Sequence, residues 1–182
     1  MIFTRSRPVR KGLMWMFLGV LAAVASLGLY WLYIGLRLPP IHDISTDTDN
    51  PPRFAAVSAL RSPNANSVEY GGAAIAEQQH RAYPQIKPVL LALNRDQAYE
   101  RALAAAKQMG WEIVDANAAE GRIEAVARTF WLRFKDDVVV RITEAPGGSR
   151  VDARSASRIG RHDFGANARR LTAYLDRLKA VR

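Results

Sequence analysis

An α+β domain behind a single transmembrane helix is the fold class this sequence predicts. Three observations predict it. Residues 12–36 form an uncharged, apolar run long enough to cross a bilayer. From Asn94 onward the periodicity changes in a fixed order: one helical stretch, four strand-like stretches, a second helical stretch. Each of these elements has one apolar side to bury. An antiparallel four-stranded (or slightly larger) sheet with two helices on one face buries all of them.

Composition narrows the function classes. The chain has 182 residues, 49% of them hydrophobic, a formal net charge of +9 and no cysteine. A disulfide scaffold, a Cys-ligated metal centre and a cysteine nucleophile are thereby excluded. His42, His80 and His162 have no ligand spacing. Asp43, Asp47 and Asp49 with Thr46 and Thr48 suggest calcium, but lack the spacing and glycine of an EF-hand. No nucleophile elbow, phosphate loop or dinucleotide fingerprint is present, so neither a metal nor a cofactor is expected. The basic balance divides into four residues of the N-terminal tail and an interspersed excess over 37–182, where 22 basic groups meet 17 acidic ones. Interspersed charge argues against nucleic acid as a partner.

Residues 1–11 read as a basic cytoplasmic tail carrying Arg5, Arg7, Arg10 and Lys11. Residues 12–36 read as a transmembrane helix, a signal anchor. At about 1.5 Å per residue, 25 residues span roughly 37 Å, enough for a hydrocarbon core of about 30 Å. Trp15 near one end and Tyr30, Trp31 and Tyr33 near the other fit interfacial belts. The positive flank keeps the N-terminus cytoplasmic and sends the C-terminal part across. The rival is a cleaved signal peptide at Ala23-Val24-Ala25. Against it, the apolar run continues to Leu36, where a cleaved chain should turn polar.

Residues 37–93 read as a proline-rich extended segment docked on the domain. Pro39 and Pro40 end the helix, while Ile41, Ile44, Phe54, Val57 and Leu60 are spaced as if to pin a ribbon. Gly71-Gly72 introduces a short helix over 73–82, ended by Pro84, and 88–93 can form a short strand.

Residues 94–182 read as the helix–four strands–helix domain. Asn94 with Gln97 makes a capping box. Tyr99, Ala102, Leu103, Ala106 and Met109 form one stripe, and Gly110 suits C′. Trp111–Asp115, Arg122–Arg128, Val138–Thr143 and Arg150–Ser157 read as strands with one buried and one wet face where they alternate. Asp136-Asp137 reads as a turn before the third strand. The last helix is expected to start at an N-cap Asp163, with Phe164, Ala168, Leu171, Leu175 and Leu178 as its apolar stripe.

The stretches His42–Asp47, Pro51–Phe54, Phe134–Arg141 and Ser149–Gly160, followed by Asp163, Gly165 and Asn167, resemble the bacterial and plastid family catalogued as domain of unknown function 1499. The resemblance covers about residues 41–180. It implies an α+β domain, often membrane-tethered or exported; with the apolar span and its positive flank, the expectation is a bacterial inner-membrane protein with a periplasmic domain. It brings no activity.

The densest polar cluster is the candidate site: Arg154, Ser155, Ser157, Arg158, Asp163, Asn167 and Arg170. A helix start flanked by Arg and Ser can hold an anion. The same residues can equally cap the helix and pair internally. Three functions follow. The exported domain binds an envelope protein or an anionic lipid or cell-wall component. Alternatively it is an enzyme acting on a phosphorylated or carboxylated substrate. The third reading is a structural adaptor. The bilayer itself is a partner through 12–36.

Overall fold

The computed structural model describes residues 8–129 and 133–180. The basic tail at 1–7, with Arg5 and Arg7, lies outside the described residues. The chain divides into two units, one up to Leu38 and the other from Pro39 onward.

The first unit is one helix, α1 (Pro8–Arg37). Its residues Lys11–Arg37 are long and apolar enough to cross a membrane. Trp15 and Leu29 are among its exposed large side chains. Near its C-terminal end Tyr30 stands edge-on to Trp31, and the Arg37 guanidinium lies over the Tyr33 ring.

The second unit is a six-stranded, wholly antiparallel sheet with helices. Its elements in chain order are β1 (Asp43–Ser45), a 3-10 turn (Ala56–Leu60), α2 (Gly72–Ala82), β2 (Val89–Leu91), α3 (Arg95–Gln108), β3 (Glu112–Asn117), β4 (Arg122–Arg128), β5 (Lys135–Ala145), β6 (Gly148–Ser157) and α4 (Ala166–Ala180). The order across the sheet is β1-β6-β5-β4-β3. β2 shares β1's edge of β6, with Val89–Leu91 opposite Ser149–Val151 and Asp43–Ser45 opposite Arg154–Ala156. The segment preceding Asn94 thus supplies two strands of the sheet.

α3 and α4 cover one face. Register fixes which residues meet them: Ile123 lies opposite Val140, Ala125 opposite Val138, and Ile142 opposite Val151, all buried. Tyr174 of α4 packs on Trp111 with ring centroids 4.8 Å apart, and its hydroxyl donates to the Ala102 carbonyl of α3. The Asn94–Gln97 capping box starts α3. Gly121, at φ +66°, leaves the Ile142 carbonyl oxygen where a Cβ would lie 2.3 Å from it, so any side chain there displaces the β4–β5 pairing.

Two expectations are corrected. Asp136 and Asp137 are not in a turn. β5 begins at Lys135, and both carboxylates are buried. The last helix begins at Ala166 rather than near Asp163, because Phe164 and Gly165 both take positive φ. Phe164 therefore stays off the buried stripe, 38% exposed and stacked on His162.

The outer edge of β1 is closed by a side chain. Gln79 of α2, fully buried, accepts from the Ser45 N–H and donates to the Ser45 carbonyl. One amide thus replaces the missing neighbouring strand.

Four tyrosines of this unit resist ionisation. Burial raises Tyr174, Tyr70, Tyr83 and Tyr99 above the ordinary tyrosine value of about 10, and Asp43 raises Tyr70 further. A folded-state pKa above the unfolded one means the stabilisation is complete below about pH 10 and is lost as pH rises through the folded values. Alkaline titration followed at 295 nm should show these phenols ionising late, together with loss of near-UV circular dichroism. Six tyrosines ionising near pH 10 with the fold intact would contradict this packing.

Candidate functional site

Alternation along β6 separates the seven candidate residues. Ser155 and Ser157 point to the helix face, and Arg154 and Arg158 to the opposite face. The cluster that is continuous in sequence is therefore two clusters in space.

On the helix face the hub is Asn167, fully buried in the first turn of α4. Its Oδ1 accepts from Ser155 Oγ and from Arg170, and its Nδ2 donates to Ser157 Oγ and the His42 carbonyl. Arg170 also pairs with Asp136, which reaches this face from β5. Asp163 accepts from the N–H groups of Gly165 and Asn167, each at 2.8 Å, and so satisfies donors at the start of α4. An asparagine replaces an apolar residue here because four polar groups from three segments meet at one buried point.

The opposite face is covered by the proline-rich segment and carries most of the buried charge. Arg154, 2% exposed, grips Asp43 in bidentate fashion at 3.0 and 2.7 Å. Its other donors reach the Pro52 and Val68 carbonyls, and its guanidinium lies over Phe54 and Tyr70. Arg158 forks onto Asp137 and donates to the Leu60 carbonyl. Arg61 binds the same Asp137 carboxylate at 2.7 Å and spans to the Asn66 carbonyl. Glu124 of β4 accepts the N–H groups of Ala55, Ala56 and Val57 and so caps the 3-10 turn, while also pairing with Arg122. Burial alone lowers the Arg122 pKa, but Glu124, Glu120 and Asp115 together hold it above its usual value.

Sequence reading missed Glu124, Asp43, Arg61 and Asp137 as members of this layer. Its signal is the alternation itself: Glu124 of β4, Asp137 of β5 and Arg154 of β6 fall at alternate positions on the sheet face away from the helices, and Arg158 continues the alternation past the end of β6. A wet face was expected there, but the 39–70 segment excludes water from it.

Two open clefts lie elsewhere. One, about 330 Å³, is lined by Asp47, Asn50, Arg141, Thr143, Arg150 and Asp152. There Arg141 and Arg150 are neutralised by Asp47 and Asp152. The other, about 440 Å³, lies between the Ala92–Arg95 and Glu144–Gly148 loops. Neither contains any of the seven residues. Among the described residues no group of three or more His, Asp or Glu is placed to hold a metal.

An α+β domain with a buried arginine–carboxylate layer, preceded by an apolar helix, is the class of protein these features define. The chain matches the family described as protein of unknown function (DUF1499) over residues 43–178, and it belongs to that family. No curated protein matches it.

Removing one partner of a buried pair leaves a charge without compensation, at a cost of about 3–5 kcal/mol. Asp43→Asn and Asp137→Asn should each destabilise by that order in urea unfolding of the detergent-solubilised chain. The double change Asp43→Leu with Arg154→Met should cost less than Asp43→Asn alone. Asn167→Ala removes the four hydrogen bonds of a buried side chain, those to Ser155, Ser157, Arg170 and the His42 carbonyl, and should cost about 2–4 kcal/mol. A fully stable Asn167→Ala protein would return that residue to the ligand reading.

Proposed function

We propose that this protein is a single-pass, membrane-anchored binding domain of the bacterial envelope, with its N-terminus in the cytoplasm and the Pro39 unit on the other side of the inner membrane. Arg5, Arg7, Arg10 and Lys11 before the helix, against Arg37 alone directly after it, support that orientation. The partner is an envelope component met at the surface of the domain.

The observation that carries the binding reading is the fate of the seven candidate residues. Each has polar atoms engaged with other groups of the same domain, and Arg154, Ser155 and Asn167 are almost completely enclosed. A reacting group must meet substrate in a cleft, with a neighbour free to exchange a proton. These residues instead hold the 39–70 segment and α4 in place, so the cluster works as scaffold and recognition falls to the outer surface. Enzymatic action through this cluster would require it to open.

The absence of cysteine makes the topology directly testable. Ser6→Cys and Glu144→Cys each introduce a single thiol. In spheroplasts a membrane-impermeant maleimide should label Glu144→Cys, whereas Ser6→Cys should react only after lysis. The reverse pattern would overturn the orientation.

A further inference from the structure

The end of the sheet where β6 finishes gathers distant parts of the chain. The Arg158 N–H donates to the Lys135 carbonyl, and the Arg158 carbonyl accepts from Asn66. The Arg158 guanidinium reaches the Leu60 carbonyl. Ser157 N–H donates to the His42 carbonyl, and Asp163 N–H to that of Ile41. Leu60, Phe134 and Ile159 thus emerge from three separate loops at one end, where they are 52%, 45% and 52% exposed.

Charge at this end favours an anionic neighbour. Arg133, Lys135 and Arg161 are exposed beside these apolar side chains. The carboxylates of the same loops are engaged internally: Asp136 by Arg170, Asp137 by Arg158 and Arg61, and Asp163 by the N–H groups leading into α4.

Chain length then says what lies nearby. α1 ends at Arg37, and Ile41 is already buried in the domain. Leu38, Pro39 and Pro40 alone separate them. Four steps of at most about 3.6 Å reach no more than about 14 Å. Whatever direction α1 takes, the end of the domain holding Ile41 stays within that distance of the helix terminus. Under the anchoring reading, on which this inference rests, that terminus sits at the membrane interface.

We propose that Leu60, Phe134 and Ile159, flanked by Arg133, Lys135 and Arg161, form a surface that rests on the headgroup–acyl boundary of the same bilayer that α1 crosses. Apolar side chains enter the boundary, and the cations meet anionic headgroups. The domain is thereby held in one orientation, with the β5–β6 turn pointing away from the lipid. Leu90, 71% exposed and opposite Arg150 at the far end of β6, stays in water although it is equally apolar.

The test uses the full chain in vesicles of phosphatidylcholine and phosphatidylglycerol whose acyl chains carry bromine. Single cysteines at Leu60→Cys, Phe134→Cys and Ile159→Cys, with Leu90→Cys and Glu144→Cys as references, are labelled with a bimane fluorophore. Quenching of about twofold or more is expected at the first three positions and none at the references, since insertion reaches only about 5–10 Å into the boundary. Unquenched labels at all three positions in protein that floats with the vesicles overturn the proposal and leave the surface to a protein partner. Equal quenching at all five positions overturns it as well. Protein that does not float overturns the anchor instead, a failure read separately from the fluorescence.

Discussion

Asp137, near the start of β5, holds two guanidiniums on one carboxylate, Arg158 from just past the end of β6 and Arg61 from the segment that covers the sheet. Arg154 does the same work from the other side of the contact, joining Asp43 to the Pro52 and Val68 carbonyls. Glu124 completes the layer by taking three consecutive N–H groups of the 3-10 turn. The segment over 39–70 has little regular structure, so its backbone groups need partners from elsewhere. Charged side chains of the sheet supply them. Charge-assisted bonds are the strong kind, and a fork of known geometry also fixes position. The rest of the domain follows from this arrangement: an irregular ribbon can be buried only if the face it covers is polar in the right places.

That constraint bears on function. A layer of buried ions is poorly suited to bind a soluble ligand, because each charge already has its counterpart and any new partner must displace one. It is well suited to give a single, rigid placement of loops. Leu60, Ile159 and the Lys135 end of β5 are all tied to Arg158 or its neighbours.

Much of the architecture was legible in the sequence. The apolar run, the Asn94 capping box, the four long strands and the stripe of Ala168, Leu171, Leu175 and Leu178 each depend on local pattern, which neighbours in sequence display. The buried layer depends on pairs more than sixty residues apart, such as Arg154 with Asp43 and Arg61 with Asp137, and no local pattern announces those. Asp136-Asp137 was misread because adjacent acidic residues resemble a turn. On a strand they serve two faces, one meeting Arg170 and the other Arg158. The seven candidate residues read as one patch because Arg154 to Arg158 are nearly contiguous, whereas alternation along β6 sets them on two faces. The resemblance in sequence gave the boundaries well, and the matched family spans 43–178.

Native-state hydrogen exchange on the full chain distinguishes a ribbon locked by these ion pairs from one laid loosely on the sheet. Glu124 holds the N–H groups of Ala55, Ala56 and Val57, although Ala55 itself is exposed. If the charged layer locks the ribbon into the fold, those amides should exchange as slowly as the β5–β6 ladder and open only with global unfolding. Exchange at the rate of an exposed loop, with the ladder still protected, would contradict it.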